Sequence, residues 1–200
     1  MKIAIIGSGH IGGTLGTLWA GKGHHVMFGS RDPQSDKIRT LLHTAGENAQ
    51  ARSVQEAIAF GEVILLAVPD TEIERVLEEV GDLHHKILIN STNLRDGRSA
   101  GMEVLRLAKN ARVVRAFNTV AWEVIANPHY GPTNATLFIN GDDSNAKEIV
   151  AQLCHDIGFD PVDAGDSANI PNIETALGIL WRILAPQFGR EFTLRVLRRV

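Results

Sequence analysis

Glycines at positions 7, 9 and 12, in Gly7-Ser8-Gly9-His10-Ile11-Gly12, follow directly on the short run Lys2-Ile3-Ala4-Ile5-Ile6. That spacing suits one task, the holding of a pyrophosphate. Gly7 permits a tight turn out of a strand. Gly9, without a Cβ, lets backbone approach an anion, and Gly12 lets the next helix pack close to the strand. Leu15, Leu18, Trp19 and Ala20 suit that helix, whose first N–H groups lack intrahelical partners and would face the phosphates. His10 sits inside the loop, either as a further N–H donor or as a plain loop side chain. A strand, this glycine turn and a helix, in that order, read as a dinucleotide site.

The next strand distinguishes between dinucleotides. His25-Val26-Met27-Phe28 reads as β-structure and runs into Gly29-Ser30-Arg31-Asp32. A carboxylate at this tip would hold the ribose hydroxyls of NAD and repel a 2′-phosphate, whereas the Ser30 hydroxyl and the Arg31 guanidinium attract one. NADP(H) is the expected cofactor. Asp32-Pro33 reads as an N-cap followed by proline at the first helical position. Lys37, about one turn on, is either a second cation for the phosphate or an ordinary solvated lysine.

These residues need a frame, and the chain alternates strand and helix to supply it. Ser53-Val54-Gln55-Glu56 has capping-box spacing and opens a helix ending near Gly61. Glu62 to Val68 is a run ending in Pro69, suited to a strand buried on both faces. Asp70 is placed to cap a helix whose Ile73, Val76, Leu77 and Val80 share one face. Strands follow at Lys86 to Asn90, Val113 to Phe117 and Thr136 to Ile139, with a short one at Pro161 to Asp163. Helices are read around Val104 to Leu107 and from about Asn145 to Ile157. The pattern predicts an α/β fold, a Rossmann-type doubly wound parallel sheet. Domain boundaries are placed at 1–166 for the NADP-binding domain and 167–200 for a C-terminal helical extension. In that extension Ile170, Ile173, Ala176, Leu177, Leu180, Trp181 and Leu184 form a wide stripe, and Leu194, Val196, Leu197 and Val200 continue it. The stripe either packs on the sheet or forms a homodimer interface.

Composition narrows the partners. Two hundred residues with a formal net charge of −3 leave no room for a large second domain and no basic surface for nucleic acid. Arg195, Arg198 and Arg199 are read as the solvated face of a terminal helix. The single cysteine, Cys154, excludes a disulfide framework and reads as a small buried hydrophobe. No run approaches the roughly twenty apolar residues of a membrane helix, and the first residues read as a core strand rather than a signal peptide. A cytoplasmic protein without membrane or nucleic-acid partners is expected, with a small-molecule redox cofactor as its ligand.

Ligands of doubly wound sheets gather beyond the carboxyl ends of the strands. That nominates the glycine turn, Ala67-Val68-Pro69, Asn90-Ser91-Thr92-Asn93 and Phe117-Asn118-Thr119. The last two carry amides and hydroxyls, which also serve turns and caps. Tyr130 has no lysine four residues on, so the Tyr–Lys pair of short-chain dehydrogenases is missing. No lactate-type His–Asp pair and no metal spacing is present. His24, His25, His84 and His85 precede strands and are read as surface residues away from the site. No residue is assigned a catalytic acid, base or metal role. Reduction of a carbonyl normally needs a proton donor, whereas a flavin or deazaflavin ring delocalises the charge it receives, leaving alignment as the protein's task.

Gly7 to Gly12, Phe28-Gly29-Ser30-Arg31, Val113-Val114-Arg115-Ala116-Phe117-Asn118-Thr119 and Gly141-Asp142-Asp143 resemble the NADP oxidoreductases dependent on coenzyme F420, a deazaflavin, over nearly the whole length. They are also similar to the cytosolic reductase domain of the membrane metalloreductases, to which Phe117-Asn118-Thr119 looks closer. The resemblance implies that Gly7, Ser8, Gly9, His10, Ile11 and Gly12 hold the pyrophosphate. It likewise gives Ser30 and Arg31 the 2′-phosphate, and Ala67, Val68, Pro69, Ser91, Asn93, Asn118 and Thr119 the nicotinamide and acceptor site. The expected function is hydride transfer between NADP(H) and coenzyme F420 or a flavin (FMN or FAD). Reduction of a small imine or carbonyl, and a non-catalytic NADPH-binding redox sensor, are the alternatives.

Overall fold

The computed structural model describes residues 1–199. In chain order the elements begin with β1 (Lys2–Ile6), α1 (His10–Gly21), β2 (His25–Gly29), α2 (Asp36–Ala45), β3 (Ala49–Arg52) and α3 (Val54–Phe60). Next come β4 (Val63–Leu66), α4 (Ile73–Val80), β5 (Ile87–Asn90), α5 (Ala100–Leu107), β6 (Arg112–Arg115) and α6 (Trp122–Ala126). The remainder is β7 (His129–Tyr130), β8 (Thr133–Asn134), β9 (Thr136–Ile139), α7 (Ser144–Asp156), β10 (Asp160–Asp163) and α8 (Ile170–Phe188).

Six strands form one sheet in the order β3-β2-β1-β4-β5-β6, every pair parallel. Strand order reverses at β1 and β4, which is where such sheets open a crevice for ligands. The sheet is covered on both faces, as the uninterrupted apolar strands require. Ile3, Ile5, Val63, Leu65, Ile87 and Ile89 face one core with Leu15, Trp19 and Phe28. Ala4, Ile6, Ile64, Leu66 and Leu88 face the other, with Ile58, Leu77 and Val104. Trp19 Nε1 donates to Leu153 O at 3.0 Å, tying α1 to α7. Among the described residues no helix is long and apolar enough to cross a membrane.

Several expectations change. Asp32 does not cap a helix at Pro33: its Oδ1 accepts from Gln34 N at 3.1 Å, and α2 begins only at Asp36, after Ser35. An Asx turn has captured the carboxylate, so the helix starts later and Lys37 falls in its first turn. Asp70 likewise makes no capping bond and opens a single 3-10 turn, Asp70–Glu72, ahead of α4. The Ser53–Glu56 capping box is present in both directions. Strand β3, α6 and the β7–β8 hairpin were not anticipated. In β3 the sequence Ala-Gln-Ala-Arg carries little strand propensity and forms only because β2 offers a free edge. The strands at 136 and 160 do not extend the main sheet. They pair with each other and join β6 only through an antiparallel bridge between Arg115 and Asn140.

The C-terminal region departs furthest. In α8 only Ile170 is buried, while Ile179, Leu180, Ile183 and Phe188 are exposed. Core packing thus accounts for the start of the helix and for Trp181, which is half-buried against the main core. Residues 189–199 are not helical. Arg195 is not on a solvated helix face: it pairs with Asp160 at 2.7 Å, while Leu194 O accepts from Thr136 N at 3.3 Å. Val200 lies outside the described residues. Of the four histidines read as surface residues, His25, His84 and His85 are exposed, whereas His24 is half-buried against Asp156 at 2.9 Å.

Cys154 lies fully buried between α7 and the core, and burial pushes its thiol pKa up. The thiolate is the reactive form. Native protein at pH 8 is therefore expected to leave Ellman's reagent uncoloured over many minutes, with one thiol appearing on addition of guanidinium chloride. Rapid labelling of the native chain would contradict this burial.

Candidate functional site

The three glycines of the first turn are distinguished by what surrounds them. Gly7 has φ +108°, and a Cβ there would lie 2.2 Å from Ala67 O. The ends of β1 and β4 meet at this point. A Cβ on Gly12 would lie 1.9 Å from Gly7 O, so only glycine lets α1 rise this close to the strand. Gly9 differs from both, because a Cβ there would meet no protein atom within 4 Å. Its small size serves no packing purpose within the chain. Gly9 is also the N-cap of α1, with no side-chain cap and no acidic residue in the first turn. Unpaired N–H groups above open space make a site for an anion, and the pyrophosphate of a dinucleotide fits it. Ser8 and Ile11 are half-buried beside this turn, and His10 is exposed. The His10 ring stacks on Trp122 at 4.9 Å and 24°, which links the turn to α6.

At the tip of β2, Ser30 Oγ accepts from Asp32 N at 3.2 Å, so its own proton is free to donate. Arg31 is exposed. Glu72, whose carboxyl is held below its usual range first by Arg75, also feels the charge of Arg31. A guanidinium at the β2 tip suits a 2′-phosphate on the adenosine side.

The turns after β4, β5 and β6 are laced together. Thr92 Oγ1 donates to Val68 O at 3.0 Å, and Asn93 Nδ2 donates to Asn118 O at 2.8 Å. Ser91 is buried with its hydroxyl on Leu66 O at 3.1 Å, so it offers a ligand no side-chain contact and shapes the turn instead. Ala67 and Val68 are half-buried at the strand end, and Pro69 is exposed beside them. Phe117 carries φ +64° with its ring fully buried. A left-handed bulky residue is strained, and here the reversal sends the aromatic ring into the core just before Asn118 and Thr119.

Sequence reasoning missed the group that organises this rim. Arg115, at the end of β6, is only 2 % exposed. Its Nη1 donates to Asn90 O at 3.1 Å and Thr92 O at 2.6 Å, and its Nη2 donates to Asn93 Oδ1 at 2.7 Å. Its Nε donates to Glu174 Oε1 on α8 at 2.8 Å, and the same oxygen accepts from Gly101 N at 3.1 Å. Burial lowers the Arg115 pKa to about 10, against the pull of Glu174, which leaves it cationic at neutral pH. A charge between the apolar pairs Val113-Val114 and Ala116-Phe117 was the available signal. Glu174, one carboxylate in an apolar helical stripe, was its counterpart.

Beyond the rim a cavity of about 750 Å³ opens between the sheet edge and α8. Asn93, Asn118 and Thr119 line its sheet side, and Glu174, Leu177, Gly178, Trp181 and Arg182 line its α8 side. Of the residues nominated from sequence, the structure brings these three to the cavity. Ser30 and Arg31 stand at the other arm of the crevice, with the glycine turn at its centre.

A six-stranded 3-2-1-4-5-6 sheet with an uncapped glycine turn at its switch point defines a dinucleotide-binding fold of the Rossmann type. Residues 2–94 match the family described as NADP oxidoreductase coenzyme F420-dependent. The chain is 32% identical over 183 residues to Metalloreductase STEAP3 of Rattus norvegicus, covering 86% of this chain and 36% of that protein. It thus spans about a third of the length of the curated relatives it matches. Among solved structures it is similar to a candidate F420 dependent NADP-reductase from Arthrobacter sp. FB24, with a TM-score of 0.86 and 24% identity over 99% of this chain and 100% of that one. It is also similar to a reductive aminase from Aspergillus terreus, with a TM-score of 0.70 and 20% identity over 92% of this chain and 62% of that one.

The glycine geometry separates folding from binding. Gly9→Ala is expected to melt within a few degrees of the wild type without ligand and to bind NADPH at least about tenfold more weakly. Gly12→Ala is expected to lose about 2 kcal/mol or more of stability through overpacking. Thermal denaturation with and without NADPH checks both, and unchanged NADPH affinity in Gly9→Ala would contradict the cradle. Glu174→Leu strands the buried guanidinium and should cost about 3 kcal/mol in urea unfolding.

Proposed function

We propose that this protein is an NADPH-dependent reductase that delivers hydride to a flavin or to the deazaflavin coenzyme F420, working in the cytoplasm. The observation that carries the reading is the pairing of an uncapped pyrophosphate cradle with a ring-sized cavity along one sheet edge. Gly7 to Gly12 would hold the pyrophosphate, Ser30 and Arg31 the 2′-phosphate, and Ala67, Val68 and Pro69 the approach to the nicotinamide. Bound NADPH supplies the hydride. Asn93, tied to Asn118 O and to Arg115, would with Asn118 and the neighbouring Thr119 fix the angle and distance at which the two rings meet. The hydroxyls and amides of this wall align the ring, and the one carboxylate in the lining, Glu174, already accepts from Arg115 and Gly101. An acceptor whose ring absorbs the incoming charge suits such a wall. The family matched by residues 2–94, whose description names coenzyme F420, supports this class of acceptor.

Imine reduction is the second reading. An iminium ion already carries its proton and needs no acid from the wall, and the reductive aminase shares the fold.

Two assays test the proposal. Mixed anaerobically with NADPH, the protein should bleach the visible absorbance of coenzyme F420 or FMN with turnover. Bleaching of neither, with consumption of NADPH on a cyclic imine, would replace it with the second reading. Arg31→Ala should raise the NADPH dissociation constant about tenfold and leave NADH unchanged, since a solvent-facing Arg–phosphate contact is worth about 1.5 kcal/mol. Equal losses for both cofactors would remove Arg31 from the 2′-phosphate site.

A further inference from the structure

The α8 wall of the cavity combines a flat surface with unbalanced charge. Leu177, Gly178 and Trp181 line it in sequence. A Cβ on Gly178 would meet only Arg182 Nη1, at 3.9 Å, so half-buried helix backbone carries no side chain there and a guanidinium lies at its edge. The Trp181 ring is held in place by stacking on Phe192, 5.0 Å away at 26°. The surface is apolar, flat and fixed, with the planar charge of Arg182 beside it.

Three arginines line the cavity against one glutamate. Two of them have partners, Arg98 with Asp96 at 2.7 Å and Arg190 with Glu123 at 2.7 Å. Glu174 is engaged by Arg115 at 2.7 Å, from behind the wall. Arg182 makes no ion pair among the described residues. Its position on the cavity wall, one turn beyond Gly178, leaves all its donors for a ligand.

We infer that this cavity selects a substrate that joins a flat ring to an anionic substituent, the ring lying on Gly178 and Trp181 and the anion pairing with Arg182. The inference rests on the reductase reading for what the ring does, and it adds what the rest of the molecule must carry. A guanidinium matches the oxygens of a phosphate or carboxylate in a planar, two-pronged fashion. The same wall repels a cation, so an iminium substrate is disfavoured by the charge that favours a flavin phosphate.

Matched ligand pairs test this without turnover. FMN and riboflavin share a ring and differ by a phosphate, as do 5-deazariboflavin and its 5′-phosphate. Binding of each to the protein saturated with redox-inert NADP⁺ is followed by ligand fluorescence. In at least one pair the phosphate is expected to tighten binding about tenfold. Arg182→Gln should abolish that preference and leave the neutral ring and NADP⁺ bound as before, with Arg182→Lys retaining part of it. Equal affinity for both members of each pair, binding of no ring at all, or equal loss of both members in Arg182→Gln overturns the assignment. The parallel NADPH assay keeps the two ideas apart. Phosphate-selective binding without reduction supports the anion site and removes the reductase reading, whereas reduction with no phosphate preference does the reverse.

Discussion

A guanidinium removed from water dictates the shape of the carboxyl edge. Burying Arg115 is tolerable only if its donors are satisfied. The partners available are the carbonyls of Asn90 and Thr92, the amide oxygen of Asn93 and the carboxylate of Glu174. Each choice fixes something else. The two carbonyls set the path of the turn after β5, and Asn93 carries the constraint on to Asn118. Glu174 docks the start of α8 against α5. One side chain thus positions three segments that are distant in sequence, and the cavity is the space they leave between them.

The other half of the site is governed by exclusion rather than attraction. At Gly7 and Gly12 the backbone of the protein itself occupies the place of a side chain, while at Gly9 nothing does. The first two explain how β1, β4 and α1 converge. The third has no explanation inside the chain and gains one from a phosphate. The family match over residues 2–94 covers this half and also Asn90, Thr92 and Asn93, the partners of Arg115 after β5, whereas Arg115 itself, Asn118 and α8 lie beyond it.

How legible each half was follows from the range of the interactions. Gly7 to Gly12, Ser30 and Arg31 act within a few residues of one another, so spacing alone exposed them, as it did the capping box at Ser53. The parallel sheet was visible because strands buried on both faces must be apolar throughout. Asp32 and Asp70 were misread because an aspartate serves a turn as readily as a cap, and only backbone geometry decides. The partnership of Arg115 with Glu174 spans 59 residues, and no periodicity reports a contact made by folding. Strand β3 was hidden because its neighbour, not its composition, makes it a strand. The helix after Ile170 was recognisable, but the exposed side of its apolar stripe was not, since periodicity shows which residues share a face and not what lies opposite.

The two rims of the main sheet show how its strand edges are blunted. At one rim β3 is four residues long, with Gln50 and Arg52 exposed. At the other, β6 is occupied by the Asn140 bridge and by the inward-turned Arg115. Backbone left open along a rim is a template for another chain, and brevity, charge and obstruction are the means of spoiling it. A parallel sheet of this size must assemble from contacts distant in sequence, so its strands wait unpaired during folding. In the folded chain Arg115, whose side chain shapes the cavity, also closes that rim, its backbone being paired with Asn140.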